Sequence, residues 1–141
     1  MEIQTGFTDN RITDLLKDSG LPVIDLKPGS EHVRFFFTGG NGLTGVIGLE
    51  QFGETALLRS LAVKKSEQGK RVGRKLVNEL ETYCRENGIR TLYLLTTDAE
   101  IYFQKLGYTT VSKNIAPESI KNSTQFSEIC PASSVFMRKI L

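Results

Sequence analysis

Cysteine and histidine are scarce, with two of the first and one of the second. Cys84 and Cys130 lie far apart and form no CxxC pair, and His32 has no cysteine or aspartate cluster beside it. Neither a disulfide framework nor a zinc centre is indicated, so two reduced thiols and no metal are expected. Long apolar runs are also missing, and no window approaches the roughly 18 residues of a membrane span. The opening MEIQTGFTDNRITDLL has acidic and polar residues where a secretory signal needs a basic start and an apolar core. The expectation is a soluble, cytoplasmic protein. Charge of one sign is not in excess: Lys plus Arg number 18 against 16 for Asp plus Glu, a formal +2. That balance gives no global attraction to nucleic acid or anionic membrane. No repeat or low-complexity stretch occurs. Two nucleotide signatures are absent as well, the GxxxxGK[ST] of P-loop hydrolases and a GxGxxG following a strand.

What remains is 141 residues, 39% of them hydrophobic, enough for one domain with a core and too few for two. Ile3 to Phe7 reads as a strand. Asp9 or Asn10 can cap a helix whose Ile12, Leu15 and Leu16 share a face, with Gly20 and Pro22 ending it. Val33, Phe35 and Phe37 alternate as in a strand, and Phe36 is a candidate for an acceptor pocket. Thr44 to Phe52 and Thr55 to Val63 flank Gly53-Glu54, which predicts an antiparallel hairpin. Then the period changes. Val72, Leu76, Val77, Leu80, Tyr83 and Cys84 recur at helical spacing up to Gly88. Thr91 to Thr97 reads as a strand buried on both faces and parallel to the one before the helix. Ala99 to Leu106 is a short helix, Tyr108 to Lys113 a strand, Pro117 to Ser123 a helical turn and Val135 to Leu141 a last strand.

The informative junction is the strand ending Leu61-Ala62-Val63, followed by Gln68-Gly69-Lys70-Arg71-Val72-Gly73-Arg74 at the helix start. Unpaired N–H groups and the positive end of the helix dipole suit a diphosphate there, and glycines let the backbone approach it. Lys64, Lys65, Lys70, Arg71, Arg74 and Lys75 crowd the same end. A solvated basic helix face would show the same charges.

This junction resembles the [QR]xxGx[GA] motif of the GCN5-related N-acetyltransferase (GNAT) superfamily. Gln68 and Gly73 match its ends, and Arg71 stands where the middle glycine usually lies. A residue with a Cβ there must keep ordinary backbone angles or accept a strained left-handed one. Downstream, Ala99 to Tyr108 reproduces the family's A-x-x-x-[YF]-x-[KR]-x-G-[FY] helix. More narrowly, Gly48 to Glu50, Leu57 to Leu61, Leu94 to Ala99 and Phe126 with Cys130-Pro131-Ala132 together look like the small acetyltransferases of arsenic-resistance operons. The Leu-Leu-Thr-Thr segment is also similar to the acetyltransferase domain of N-acetylglutamate synthases.

The resemblance implies an α/β fold, a single GNAT domain over residues 1–141 whose mixed central sheet has splayed parallel strands flanked by helices. It implies acetyl-CoA as cosubstrate, bound along the backbone of Leu61, Ala62 and Val63, on Gln68, Gly69, Lys70, Arg71, Val72, Gly73 and Arg74, and beside Thr96 and Phe103. The acceptor is expected to be the primary amine of a small, amino-acid-like molecule, an arsenical being one case. Many relatives place a tyrosine acid where this chain has Phe103, so Tyr102 is the candidate acid, with Tyr108 or water as alternatives, and packing beside the cofactor its bland reading.

A two-residue turn at Gly53-Glu54 pairs Phe52 with Thr55, Glu50 with Leu57 and Gly48 with Arg59, placing Glu50 and Arg59 diagonally on one face. Glu50 is the candidate base, Arg59 the candidate holder of a substrate anion, and Ser60 a further polar contact. A structural ion pair is the competing reading of Glu50 and Arg59. Three rival functions share the sequence: peptide or protein acetylation, a non-catalytic acyl-CoA sensor, and a nucleic-acid module using the Lys64 to Lys75 charges. The last lacks interleaved aromatics. Cys84 reads as core and Cys130 as a loop residue. A homodimer is the default assembly because twofold dimers are the commonest.

Overall fold

Near-continuous apolar runs over Arg34–Gly39, Leu43–Phe52 and Thr55–Val63 build the antiparallel half of a sheet buried on both faces, and the helical repeat over Val72–Glu86 supplies the helix that covers one of them. The computed structural model describes residues 1–129 and 131–141, so the reading of Cys130 lies outside the described residues. Its strands are β1 (Gln4–Gly6), β2 (Arg34–Gly39), β3 (Leu43–Phe52), β4 (Thr55–Val63), β5 (Thr91–Thr96), β6 (Thr109–Thr110) and β7 (Val135–Ile140). They form one mixed sheet in the order β1-β2-β3-β4-β5-β7-β6. The helices are α1 (Asn10–Asp18), α2 (Val72–Glu86), α3 (Glu100–Lys105) and α4 (Glu118–Lys121). No helix among the described residues is long and apolar enough to cross a membrane.

Each face of the sheet has its own core. On one, Leu76, Val77, Leu80 and Cys84 of α2 pack on Ile47, Leu49, Leu58, Leu92 and Leu94. Close approach depends on Gly45, where a Cβ would meet Val72 Cγ1 at 2.8 Å and Leu76 Cδ1 at 2.9 Å. The opposite face carries two clusters. Ile12, Leu15 and Leu16 of α1 cover Phe35, Phe37 and Val46, while Ile120 of α4 covers Leu57, Tyr93 and Phe136. Asp9 caps α1, its carboxylate accepting from Ile12 N at 3.2 Å, as the sequence suggests.

The hairpin register is the one the two-residue turn predicts, with Phe52 opposite Thr55, Glu50 opposite Leu57 and Gly48 opposite Arg59. Gly53 takes a left-handed φ of +66° at the first turn position. Beyond Gly48 the register slips, so that Val46 faces Ala62. β4 therefore holds one extra residue, a bulge where Ser60 has φ +58°. The parallel ladder between β4 and β5 extends only from Thr55–Thr91 to Leu57–Tyr93. Beyond Leu57 and Tyr93 the two strands part.

Two segments differ from expectation. The strand foreseen over Tyr108 to Lys113 shortens to Thr109–Thr110, because Ser112 turns the chain into a 3-10 turn at Lys113–Ile115 by accepting from Asn114 N at 3.2 Å. A π-helical turn at Gln125–Ile129, which no periodicity foretold, packs Phe126 against Phe136.

Candidate functional site

The loop before α2 supplies the first part of the site. Gly69 and Arg71 both adopt left-handed backbone, with φ of +82° and +64°. Arg71 thus takes the strained alternative, as the residue immediately preceding the helix. Gln68 ties the loop to β4 by donating from Nε2 to Val63 O at 3.1 Å. A cleft of about 620 Å³ opens over this loop, lined by Leu61, Val63, Glu67, Gln68, Gly69, Arg71, Val72, Gly73, Arg74, Ala99, Tyr102, Lys105 and Leu106. At its floor, a Cβ on Gly73 would lie 2.6 Å from Tyr102 Oη.

The basic residues do not all face this cleft. Arg71 and Arg74 line it, and Lys105 from α3 joins them. Lys64 and Lys65 line a separate hollow beside α1. Lys70 turns to Glu67, at 2.8 Å. Lys105 was legible only as the basic position of the α3 motif, because its approach to the loop is made across the fold.

The gap between the parted strands is the second part, a narrower cleft of about 140 Å³ lined by Leu58 to Leu61, Leu94 to Thr96, Ala99, Tyr102, Phe103 and Gln125, with Leu21, Pro22 and Asp98 at its rim. Tyr102 borders both clefts. Burial pushes its hydroxyl above the ordinary range, with the charge of Arg74 opposing. Phe103 is buried and packs edge-on against Tyr102 and Tyr108. Thr96 Oγ1 accepts from Ala99 N at 3.0 Å and so fixes the entry to α3. Ala62 faces away, into the cluster under α1.

The third part is a buried ionic cluster between the two apolar clusters of the α1 face. Gly48 lets the Arg59 stem lie close beside it, since a Cβ there would meet Val33 Cγ1 at 3.0 Å, Phe35 Cε1 at 3.1 Å and Arg59 Cγ at 3.3 Å. Arg59 Nη1 donates to Glu50 Oε1 at 2.7 Å, so the diagonal pair expected from register does form. The same guanidinium makes a two-armed contact with Asp25, Nη1 to Oδ2 at 2.6 Å and Nη2 to Oδ1 at 2.8 Å, and its Nε donates to Ser60 Oγ at 3.1 Å. Asp25 comes from the connection between α1 and β2 and also meets His32 Nε2 at 3.3 Å. Burial pushes the Asp25 carboxyl up, but the Arg59 bonds and charge outweigh it, with help from His32, and hold it below its ordinary range. Ligand atoms of Asp25, His32 and Glu50 lie within 4.8 Å of one another, and the cation between the carboxylates is Arg59 itself. Sequence reasoning missed Asp25, which no local pattern marks. Beside it, Pro22, Ile24, Asp25 and Lys27 face Thr124, Glu128 and Ile129 across an open hollow of about 590 Å³ that shares Pro22 with the inter-strand cleft.

This geometry has counterparts among known proteins. An uncharacterised N-acetyltransferase of Chlorobaculum tepidum is 30% identical over 93 residues, 64% of this chain and 59% of that protein. Among solved structures, N-acetylglutamate synthase of Neisseria gonorrhoeae, complexed with coenzyme A and N-acetylglutamate, superposes with a TM-score of 0.79 at 18% identity, over 100% of this chain and 35% of that one. Tetrahymena GCN5 superposes at 0.76 with 15% identity, over 99% of this chain and 96% of that one. At such identities the structural likeness shows the fold. The chain spans less than two thirds of the curated relative and about a third of the synthase. Residues 31–110, more than half the chain, match the family model of the acetyltransferase (GNAT) domain, and with the parted strands and the loop before α2 in place, the chain belongs to that family.

Proposed function

We propose that the protein is an acetyl-CoA-dependent N-acetyltransferase acting on the primary amine of a small, amino-acid-like molecule. The observation that carries the reading is the continuity of two clefts: the gap where β4 leaves β5 runs past Tyr102 into the hollow over the α2 loop. The residues there fit an acetyl-CoA molecule. Unpaired N–H groups at the start of α2, a Cβ-free Gly73 and the cations Arg71, Arg74 and Lys105 suit its diphosphate. The parted edge of β4 at Leu61 and Val63 suits its pantetheine arm.

Acetyl-CoA supplies the acyl group as a thioester, a thiol being a fair leaving group with pKa near ~8.5. This chain's residues then have to bring a neutral amine to the carbonyl and manage protons. Glu50 is proposed to take the amine proton, directly or through water. Tyr102, half-exposed and with its hydroxyl raised above the already high ordinary value of a phenol, is proposed to give a proton to the departing sulfur. Arg59 and Ser60 are proposed to orient the acceptor, with Arg59 holding its anionic group. A glutamate-like acceptor is supported by the synthase crystallised with N-acetylglutamate. An arsenical amino acid is supported by the likeness of Leu57 to Leu61 and Leu94 to Ala99 to arsenic-operon acetyltransferases.

Phe103, buried where many relatives carry the tyrosine acid, favours a second reading, an acyl-CoA sensor without turnover. Calorimetry with acetyl-CoA followed by thiol release over an amine panel separates the two. Turnover of any primary amine supports the enzyme, binding without turnover supports the sensor, and no CoA affinity overturns both. Unchanged kcat/KM in Glu50→Gln and Arg59→Ala would remove those two residues from the mechanism.

A further inference from the structure

We propose that the fork of Arg59 is the seat of the acceptor's oxyanion and that Asp25 is an internal carboxylate occupying it, which makes Asp25 a specificity-determining residue for acceptors bearing a carboxylate or a like oxyanion. The inference rests on the acetyltransferase reading above and adds a residue and a selection rule to it.

Four observations converge on this. First, Arg59 projects from the rigid β3–β4 hairpin beside the Ser60 bulge, and its guanidinium has no exposure because Asp25 and Glu50 cover it. Second, the contact with Asp25 is the parallel two-bond geometry in which an arginine receives any free carboxylate, while the single bond to Glu50 uses the other hydrogen of Nη1. A substrate carboxylate entering the fork therefore replaces like with like, and Arg59 never loses its ionic partner. Third, Asp25 lies on the α1–β2 connection, which contains neither helix nor strand, so its withdrawal breaks no ladder. His32, at 3.3 Å and partly exposed, gives the displaced carboxylate a partner nearer solvent. Fourth, Asp25 and Arg59 bridge two neighbouring spaces. Asp25 lines the open hollow facing the π-helical turn, while Arg59 lines the narrow cleft between the strands.

An amine lacking an oxyanion makes no use of the fork, so the competition from Asp25 bears only on acceptors that carry one. Discrimination arises from exchange of one carboxylate for another, the charge of Arg59 being common to both states.

The test compares Asp25→Asn with the parent on acceptors matched except for the carboxylate, L-norvaline against butylamine, together with L-glutamate. Amide hydrogen exchange of residues 20–33 is followed in both proteins with CoA present, with and without L-glutamate. Asn keeps the shape of Asp25 and gives up the charge that competes for the fork. The expected result is that the kcat/KM ratio of L-norvaline to butylamine rises about tenfold, carried by KM. Exchange over residues 20–33 is expected to quicken in Asp25→Asn, and in the parent when L-glutamate is added. Equal changes in kcat/KM for both acceptors, or exchange that neither the substitution nor L-glutamate alters, overturns the proposal. Absence of turnover with every amine ends the acetyltransferase reading instead, and the exchange experiment still decides the part played by Asp25. If Asp25→Asn loses its fold by circular dichroism, Asp25→Ser is read the same way.

Discussion

The hydroxyl of Tyr102 closes over Gly73, so that a Cβ at position 73 would lie only 2.6 Å from Tyr102 Oη. One residue ends the Gln68 to Gly73 loop and the other sits on α3; their contact borders the cleft over that loop, and Tyr102 also lines the strand gap. Gly73→Ala is expected to displace the ring and weaken CoA binding about tenfold by calorimetry. Tyr102→Phe removes the clashing oxygen and should restore most of that loss in the double variant. Failure of the double variant to recover affinity would mean that the extra methyl acts on the ligand or the helix N–H groups and not through Tyr102.

Arg71 combines a strained backbone with a charge that faces the cleft. Arg71→Gly relieves a left-handed conformation that costs a side-chain-bearing residue about 1 kcal/mol. Its Tm should rise by about 3 °C, while CoA affinity falls about threefold from the lost ion contact. Opposite signs for the two measurements are the signature of this pairing. A fall in both would show that the loop needs the arginine for its shape.

The Arg59 cluster ties stability to acid pH. Arg59→Ala leaves Asp25 and Glu50 buried without their cation and is expected to cost about 3–5 kcal/mol in urea unfolding. The folded Asp25 carboxyl titrates below its ordinary value of 3.8. Its contribution is therefore fully present above that value and is lost as pH falls through the lower folded one. Asp25→Asn should flatten the pH dependence of stability below about pH 4 and leave its slope between pH 5 and 8 as in the parent.

A second buried carboxylate has a structural part. Glu81 of α2 accepts from Tyr108 Oη at 2.8 Å and from Lys139 Nζ at 2.9 Å, joining the helix to β7 and to the end of α3. Burial, then the adjacent Glu81 charge, pushes the Tyr108 hydroxyl far up, so it remains a donor. Glu81→Ala is expected to cost about 2–3 kcal/mol with little change in CoA affinity, measured by thermal unfolding and calorimetry on the same sample. A large loss of CoA affinity would extend the role of Glu81 to the cofactor cleft.

Legibility in the sequence followed the range of the forces involved. The β3–β4 register could be read because Gly53-Glu54 fixes a two-residue turn and a period-two ladder carries that register to Gly48 and Arg59. It failed at Ser60, where one extra residue enters β4 and no composition signal marks a bulge without glycine. The helix α2 was plain from its apolar repeat. The π-helical turn at Gln125–Ile129 was not, since packing of Phe126 on Phe136 accompanies a turn that follows no regular period.

By itself the sequence determined the order of the main strands and helices, the two-sided core, the diagonal placement of Glu50 and Arg59 on the hairpin and the place of the glycine-containing loop before α2. Each is encoded by neighbours a few residues apart, through turn chemistry, periodicity and capping. Tertiary structure alone decided that Arg71 would take the left-handed alternative, that Arg71, Arg74 and Lys105 rather than Lys64, Lys65 and Lys70 face the cleft, and that Asp25 would fill the fork of Arg59 from 34 residues away. Those outcomes depend on which surfaces the packed sheet brings together. A buried guanidinium accepts whichever carboxylate the fold delivers to it, and sequence spacing carries no record of that delivery.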